Sequence, residues 1–250
     1  MEQTVRKAFD VLEALAKSGG PRRLTDLSRE LSLTKPNVYR LLSTLSELGY
    51  VSKEEATSRY SATLKLWEMG SVLVHDANLV SVTAPKLRDL AARAGESVQL
   101  AVYDAGYAVY VNKVDGPQPI KAMTTIGSRV PAACASTGKA ILAHLQEEDV
   151  TQAFGLLRRF TSMTRTQRAD LERDLADART RGFAVNYGEW RQGICGIAAP
   201  LRDHRGLVVA AIGIWGAEDS ILGGRKEELG KLLLEVAGEA SQELGYLSAR

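Results

Sequence analysis

Residues 24–53 have the sequence LTDLSRELSLTKPNVYRLLSTLSELGYVSK, and this stretch decides the fold of the N-terminal part of the chain. It contains two short amphipathic segments, 24–31 and 35–48, separated by the turn Ser32-Leu33-Thr34. A polar hairpin, the wing, follows over residues 50–61. This order predicts a winged helix-turn-helix, a motif that lays its second helix in the major groove of DNA. We therefore expect a DNA-binding domain over residues 1–62.

Apolar residues at helical spacing predict the core of this domain. Thr34 is a favourable N-cap for the helix that follows it, and Pro36 suits the first turn, where its missing N–H has no helical partner to lose. Gly19-Gly20-Pro21 ends a preceding helix. The predicted apolar stripes are Val5, Phe9, Leu12, Leu15 and Ala16 in the first helix, Leu24, Leu27 and Leu31 in the second, and Val38, Leu41, Leu42, Leu45 and Leu48 in the third.

Basic residues are concentrated on this motif. The formal net charge of the chain is only +2, but basic residues outnumber acidic ones by six to two between Lys17 and Arg40. Phosphate contacts require such a local excess, although a solvated helix surface can show it too. Glu54 and Glu55 predict that the wing makes only a weak backbone contact. The expected DNA-contacting residues are Arg22, Arg23, Lys35, Asn37, Tyr39, Arg40, Ser43 and Arg59.

An apolar connector follows the wing. Its apolar residues occur at roughly helical spacing, which predicts a linker helix over residues 63–80. They pack either within the chain or, as we favour, against a second copy, because helix-turn-helix proteins commonly bind DNA as dimers. These residues are Leu64, Leu66, Trp67, Met69, Leu73 and Val74.

The composition narrows the class of protein. The two cysteines, Cys134 and Cys195, cannot form a disulfide framework and lack the spacing of a metal site. No apolar run approaches the roughly 20 residues of a membrane span, and the N-terminus has no signal-peptide core. We therefore expect a cytoplasmic protein that uses neither a metal nor another cofactor.

The remaining chain, residues 81–250, shows strand periodicity mixed with helical periodicity. A helix is predicted over 80–94, and a hairpin over 98–114 turns at Asp104-Ala105-Gly106. Further strands are predicted over 183–187, 195–201 and 207–215, with helices after Ser136, over 167–181 and over 226–247. Paired strands with helices packed around them predict an α+β domain with an antiparallel sheet.

Four motifs carry a resemblance to a known family. They are Leu-Thr-Lys-x-x-Val-Tyr-Arg-Leu-Leu at 33–42, Ser-Thr-Gly-Lys-Ala at 136–140, Arg-Gly-Phe-Ala-Val at 181–185, and the stretch 193–200 that ends in Gly-Ile-Ala-Ala-Pro. With them the chain resembles the isocitrate lyase regulator (IclR) family of bacterial transcription factors over essentially its whole length. The resemblance implies a winged-helix domain, a linker helix and a GAF-like effector domain. It also implies dimers or tetramers whose DNA binding responds to a small metabolite, often a carboxylic acid.

The resemblance also implies a ligand site. Ser136 and Thr137 begin a predicted helix, and the free N–H groups and dipole of a helix start favour a carboxylate. On the bare sequence an ordinary serine N-cap explains this position equally well, but the family pocket uses amides at this helix start. The implied effector-binding residues are Met123, Val130, Ser136, Thr137, Asn186, Glu189, Trp190, Gly196, Gly213 and Trp215.

The chain departs from the family pattern at several of these positions. Asn186 replaces a frequent acid, Gly196 a frequent cysteine, and Gly213 and Trp215 stand where small hydroxyl residues are common. Cys195 is displaced by one residue, which on a strand points its side chain to the opposite face. Gly196 and Gly213 leave two pocket positions without a side chain, and Trp190 and Trp215 add large aromatic groups. This pattern predicts a larger acid, either a sugar acid or an aromatic acid. Alternatively, both tryptophans are structural.

Two other functions compete with effector binding. A catalytic site would need a constellation that His75, His144 and His204 do not form, and no metal-ligand pair or nucleophile motif occurs. A redox switch through the two cysteines would need thiols of low pKa, whereas both lie in apolar stretches. We therefore expect a DNA-binding regulator, most commonly a repressor in this family, and not an enzyme.

Overall fold

The computed structural model describes residues 3–75, 79–118 and 125–247. The chain divides into two compact units, Met1–His75 and Asp76–Arg250. The helix that follows the wing belongs to the first unit in this division, and its action as a linker stays a prediction.

The first unit is a winged helix-turn-helix. The first three of its helices surround a small core. Three short strands, β1 (Arg22–Arg23), β2 (Val51–Glu54) and β3 (Arg59–Ala62), form an antiparallel sheet in the order β1-β3-β2. The hairpin β2–β3 confirms the predicted wing, and β1 is a further short strand that pairs with β3. The elements are α1 (Gln3–Lys17), β1 (Arg22–Arg23), α2 (Leu24–Glu30), α3 (Lys35–Glu47), β2 (Val51–Glu54), β3 (Arg59–Ala62) and α4 (Lys65–His75).

The core of this unit confirms most of the predicted stripes and corrects their ends. Leu27, Val38 and Leu42 are fully buried. The prediction was wrong for Val5 and Phe9, which are 54% and 61% exposed, because packing against α1 begins only at Val11. It was also wrong for Ala16, which is exposed near the end of α1. Leu48 is also exposed, since it follows the end of α3 where the chain turns through Gly49. Thr34 occupies the N-cap of α3, but its hydroxyl makes no capping hydrogen bond.

The second unit has the predicted α+β architecture. Six strands form one antiparallel sheet, and in order across it they are β6 (Arg129–Pro131), β5 (Tyr107–Val114), β4 (Ser97–Asp104), β9 (Val208–Ala217), β8 (Ile194–Arg202) and β7 (Ala184–Asn186). The last helix ends earlier than predicted, before Gly245, whose φ of 89° is unsuited to a helix. The elements are α5 (Leu79–Ala94), β4 (Ser97–Asp104), β5 (Tyr107–Val114), β6 (Arg129–Pro131), a 3₁₀ turn (Ala132–Cys134), α6 (Ser136–Leu142), α7 (Glu147–Gly155), α8 (Arg168–Arg181), β7 (Ala184–Asn186), β8 (Ile194–Arg202), β9 (Val208–Ala217), α9 (Glu218–Ile221) and α10 (Lys226–Glu243).

Each face of the sheet packs against its own pair of helices. One face carries large aliphatic residues such as Leu100, Ile197 and Ile212, which form a core with α5 and α10. The other face carries small residues such as Ala198 and Ala211, which form a second core with α6 and α8. Alternate residues of a strand point to opposite faces, so the two faces of the sheet can differ in side-chain size. Because the residues on the second face are small, α6 can approach the backbone of the sheet closely. Among the described residues, no helix is both long and apolar enough to span a membrane.

Candidate nucleic-acid interface and effector site

The outward side of α3 presents the side chains predicted to contact DNA. Lys35, Tyr39 and Arg40 are exposed, and Asn37 and Ser43 are partly buried. Arg40 Nη2 donates a hydrogen bond of 2.7 Å to Asn37 Oδ1, so these two side chains orient each other. The first turns of α3 therefore present a cationic and hydrogen-bonding surface of the kind that base edges and phosphates accept.

Pairing of β1 with β3 brings two further predicted residues together. Arg23 and Arg59 are directly opposite each other across the strands, and both are exposed. Neither forms an ion pair within the part of the chain that the structure describes, so both guanidinium groups are available to phosphates. Arg22 differs, because its Nη2 lies 2.6 Å from Glu30 Oε2 and that carboxylate neutralises its charge.

The floor of the candidate effector site is the small-residue face of the sheet. Strand pairing places Gln99 beside Gly213, and Gly196 beside Trp215. All four residues lie on the face of the sheet opposite the aliphatic face. Cys195 lies in the aliphatic core with α5 and α10, which confirms that it does not face this site.

The start of α6 lies directly over this floor. A Cβ atom at Gly196 would lie 3.1 Å from Ser136 Oγ, and one at Gly213 would lie 2.9 Å from Thr137 Cγ2. These glycines therefore permit the close approach of α6. The expectation that Gly213 empties the pocket is wrong in this respect, because the Thr137 methyl group occupies that space.

A group of buried polar side chains surrounds Thr137. Thr137 is fully buried, and its Oγ1 has no hydrogen-bond partner among the described residues. The Tyr110 hydroxyl faces the Thr137 and Gln99 side chains, and burial raises its pKa to about 12, so it stays protonated at neutral pH. The sequence prediction missed both Gln99 and Tyr110. The signal for Gln99 was its amide within the apolar run 98–102.

Lys139 is a buried cation that the prediction also missed as a site residue. Its Nζ lies 2.6 Å from Asp174 Oδ2 and 2.6 Å from Glu189 Oε1, and it donates to the Val185 carbonyl at 3.2 Å. Burial raises the pKa of Glu189, and the ammonium of Lys139 opposes that rise. Glu189 Oε2 accepts the Tyr187 N–H at 3.1 Å. Both carboxylate oxygens of Glu189 thus have partners within the chain.

Asn186 fixes the loop that follows β7. Its Nδ2 donates to the Cys134 carbonyl at 2.7 Å, and its Oδ1 accepts the N–H groups of Gly188 and Glu189 at 2.7 and 3.1 Å. The side chain that was expected to contact the effector therefore connects this loop to the 3₁₀ turn before α6.

Aromatic residues border the same region. Trp190 packs against a buried cluster that includes Tyr110 and Val130, and its ring centroid lies 4.4 Å from that of Phe160. Trp215 is 5% exposed. The structure thus brings Ser136, Thr137, Gly196, Gly213 and Trp215 together, with Val130 and Trp190 around Tyr110. Met123 lies outside the described residues.

Neither cysteine has the properties of a reactive thiol. Both are buried, and burial raises the pKa of Cys134 to about 12 and that of Cys195 to about 11. In the described ranges, no cluster of three or more His, Cys, Asp or Glu side chains is arranged to hold a metal ion.

Comparison with known proteins links both units to one family. Residues 71–242 match the model described as "Bacterial transcriptional regulator IclR C-terminal", and residues 4–55 match the IclR helix-turn-helix domain. The chain is 30% identical over 247 residues to the transcriptional regulator KdgR of Dickeya chrysanthemi, covering 97% of this chain and 80% of KdgR. It is 29% identical over 245 residues to the transcriptional repressor AllR of Escherichia coli K12, covering 97% and 90%.

Two solved structures have the same fold. The Thermotoga maritima IclR structure aligns with a TM-score of 0.81 at 31% identity, covering 98% of this chain and 99% of that one. An IclR homolog from Microbacterium hydrocarbonoxydans, complexed with 4-hydroxybenzoate, aligns with a TM-score of 0.82 at 23% identity, covering 96% and 98%. The second similarity concerns the fold alone.

Proposed function

Because the chain belongs to the IclR family of bacterial transcriptional regulators, we propose that it is a repressor whose operator affinity is set by a small carboxylic acid. The named relatives are DNA-binding regulators and repressors, a class distinct from enzymes. We further propose that it acts in the bacterial cytoplasm, where the operator DNA is found.

One observation carries the effector part of this proposal. Thr137 Oγ1 is buried at the start of α6, and among the described residues no group forms a hydrogen bond of normal geometry with it, although the Tyr110 hydroxyl lies nearby. Buried polar atoms in folded proteins are nearly always hydrogen-bonded, and leaving one unpaired costs about 1–3 kcal/mol. A bound carboxylate would accept a hydrogen bond from this hydroxyl, and the Gln99 amide and Tyr110 hydroxyl lie on the same side of the sheet.

The charge around the site supports an anion. Two arginines lie over aromatic rings of the neighbouring loops, Arg158 over Phe160 and Arg191 over Trp190. Arg165 lies over Tyr187, but its Nε is 3.6 Å from Asp174 Oδ2, so that carboxylate offsets its charge. Cationic side chains around a site raise the local concentration of anions. The rings themselves favour an acid with an apolar or sugar face, so an aromatic acid or a sugar acid is the effector class that we propose. The homolog of similar fold was crystallised with 4-hydroxybenzoate.

Exposed apolar residues support self-association of the first unit. Leu64 is 83% exposed and Trp67 is 71% exposed, and Val5, Phe9 and Met69 are also exposed. Leu64 and Trp67 are three residues apart at the start of α4, a spacing that puts them on the same side of a helix, and adjacent exposed apolar side chains favour a protein partner. We propose that a second copy of the chain covers them, which would give a dimer with two copies of α3.

Regulation would then be a shift between two arrangements of this dimer. An acid seated at α6 changes operator affinity only if it binds one arrangement more tightly than the other. We propose that the acid favours the arrangement that fits the two operator half-sites less well, as expected of a repressor released by its effector.

Thermal melts of the purified protein with a panel of acids test the effector site. The panel contains glyoxylate, pyruvate, galacturonate and 4-hydroxybenzoate. At one hundred times its dissociation constant, a ligand stabilises the folded state by about 2.7 kcal/mol. The proposal expects a selective rise in melting temperature with galacturonate or 4-hydroxybenzoate.

The variant Thr137→Val makes this test specific to the site. It preserves the shape of the side chain and removes the buried hydroxyl, so the ligand-free protein should be at least as stable as the wild type while the rise in melting temperature with acid is lost. Thr83→Val is the matched control, because Thr83 is equally buried but donates to the Leu79 carbonyl. An equal rise in Thr137→Val, or no rise with any acid, would overturn the proposal.

A further inference from the structure

A second concave site lies in the same unit, where the end of β8 is not covered by a neighbouring strand. Pairing of β7 with β8 extends only as far as Ala198. Beyond it a cleft of about 270 Å³ opens between the end of α8, the last residues of β8 and α10. Pro200 has no N–H to leave unpaired at this edge, and the Arg202 N–H donates to Ser241 Oγ at 3.1 Å. Gly238 adds room, because nothing lies within 4 Å of where its Cβ would be.

Three nitrogen-bearing side chains converge on this basic cleft, which we define by His144, Arg179, Arg202, Gly238 and Tyr246. Arg179 Nη1 donates to the Ala143 carbonyl at 2.9 Å, and Arg202 Nη1 donates to the Gly206 carbonyl at 2.9 Å. Neither arginine has an Asp or Glu within ion-pair distance in the part of the chain that is described. Each guanidinium carries five N–H donors, so several remain for a ligand.

His144 adds a donor without adding a charge. Its Nδ1 lies 3.3 Å from Arg202 Nη2, and because arginine can only donate, Nδ1 accepts and the neutral ring carries its proton on Nε2. Burial lowers the pKa of His144, and the charges of Arg202 and Arg179 lower it further. The positive charges of both arginines therefore lie close enough to His144 to disfavour protonation of its imidazole.

Two guanidinium groups lie beside one cleft, and neither pairs with a carboxylate of the described residues, so the cleft favours an anion. We propose that the basic cleft binds a small dianionic metabolite, either a phosphate ester or a dicarboxylate, at a site separate from the proposed effector site. Guanidinium groups bind both oxyanions through paired N–H donors. The walls contributed by Leu234 and Ala237 are apolar, and the cleft volume accommodates an organic body beyond a bare phosphate ion.

Calorimetric titration of the full chain tests this site. The probes are inorganic phosphate, glycerol 3-phosphate and succinate, each added at constant ionic strength, with glycerol as the uncharged control. We expect at least one dianion to bind the wild-type protein, and at least tenfold weaker binding by Arg179→Gln and Arg202→Gln. Binding of glycerol 3-phosphate alone would identify a phosphate site, and binding of succinate alone would identify a dicarboxylate site.

Two further variants distinguish binding in the basic cleft from a general effect of charge and from loss of binding through misfolding. Arg173→Gln removes a positive charge from the same helix, α8, outside the cleft, and should bind as the wild type does. Gly238→Leu fills the cleft and leaves every charge in place, so it should lose binding even if Arg202→Gln fails to fold. Bound dianion should also raise the pKa of His144 in an NMR titration. Equal binding by the wild type and Gly238→Leu, or no binding of any dianion, would overturn the proposal.

Discussion

Lys139 shows how one residue connects several parts of the effector unit. Its ammonium group lies in α6, and its partners Asp174 and Glu189 lie in α8 and in the loop after β7. Removing one partner of a buried ion pair leaves an uncompensated charge, which typically costs 3–5 kcal/mol, whereas keeping the pair contributes much less net stability. The ion pair therefore holds this arrangement in place more than it adds stability.

We expect Lys139→Met to lower the free energy of unfolding of the second unit by about 3–5 kcal/mol in urea titrations at neutral pH. The loss should shrink as the pH falls, because protonation of Glu189 removes its unpaired charge. Lys113→Met is the control, since Lys113 pairs with Asp115 at the surface and such pairs contribute about 0–1 kcal/mol. A Lys139→Met variant as stable as this control would contradict the role given to Lys139.

The two cysteines lead to a prediction about pH. Burial raises the folded-state pKa of Cys134 to about 12 and that of Cys195 to about 11. Since a free thiol has a pKa of about 8.5, the unfolded chain releases these protons first. The stabilising contribution is complete below that pH and is lost as the pH rises toward 11.

Native protein at pH 8 should therefore not react with a disulfide reagent such as Ellman's reagent, and unfolding in urea should expose both thiols. The Cys134→Ser/Cys195→Ser double variant should respond to the effector as the wild type does. A fast-reacting thiol in the native protein would revive the redox switch as an alternative.

The sequence could predict some of the residues of the candidate site but not the contacts between them. Thr137 could be predicted as a site residue from the motif that contains it, but its missing hydrogen bond depends on distant strands. Tyr110 and Gln99 meet Thr137 only through the pairing of β4, β5 and β9, and one sequence contains no direct record of that pairing. Lys139 resembled an exposed helix lysine because its partners lie 35 and 50 positions away in the chain.

Among the elements, α6 is notable because all seven of its residues, Ser136–Leu142, are buried. A Cβ at Gly138 would lie 2.1 Å from the Ala132 carbonyl oxygen and 2.4 Å from Ala132 Cα. Backbone cannot rotate away as a side chain can, so α6 would have to move. The glycine of the Ser-Thr-Gly-Lys-Ala motif is therefore explained by the contact of α6 with the 3₁₀ turn.

We expect Gly138→Ala to destabilise the protein by about 1–3 kcal/mol or more, as overpacking of a core does, and to weaken effector binding by displacing Thr137. Gly155→Ala is the control, because nothing lies within 4 Å of a Cβ at Gly155, the last residue of α7. Unfolding curves of the two variants measure the difference. Equal stability would show that α6 does not depend on this contact.

The wing gives a prediction about DNA. Arg23 and Arg59 are neighbours across β1 and β3, and we propose that both contact phosphates. Each phosphate contact contributes about 0.9 to the slope of log affinity against log salt concentration. Arg23→Ala and Arg59→Ala should each lower that slope by about 0.9 on a random-sequence duplex. Lys17→Ala is the control, because Lys17 pairs with Glu13 in α1, and slopes equal to that of the control would remove both arginines from the interface.

Elements differed in how well periodicity predicted them. The predicted limits of α3, α5 and α8 agree with the structure to within one residue. Pro36 marks the start of α3, α5 has a long apolar stripe, and Gly182, with a φ of 85°, marks the end of α8. The strands β1 and β6 have two and three residues. Such short strands show no alternation of their own and form only because a partner strand is adjacent, so the sequence did not indicate them.

For the whole molecule, the proposed dimer makes a direct prediction. Leu64→Glu should weaken self-association in sedimentation experiments by at least tenfold, because a charge at an apolar interface must be desolvated. Leu247→Glu is the matched control, since Leu247 is 90% exposed in the second unit. Unchanged association of Leu64→Glu would place the contact between copies elsewhere.

The measurement that tests the central claim most directly joins the two units through their ligands. A duplex selected by the wild-type protein from a random library is titrated with protein, with and without the acid that raises the melting temperature. We predict that the acid changes DNA affinity by about 5–150-fold, the usual range of coupling between sites. The Thr137→Val variant should bind DNA as tightly as the wild type without acid, and its affinity should not change when the acid is added. DNA affinity that is identical with and without the bound acid would contradict the account.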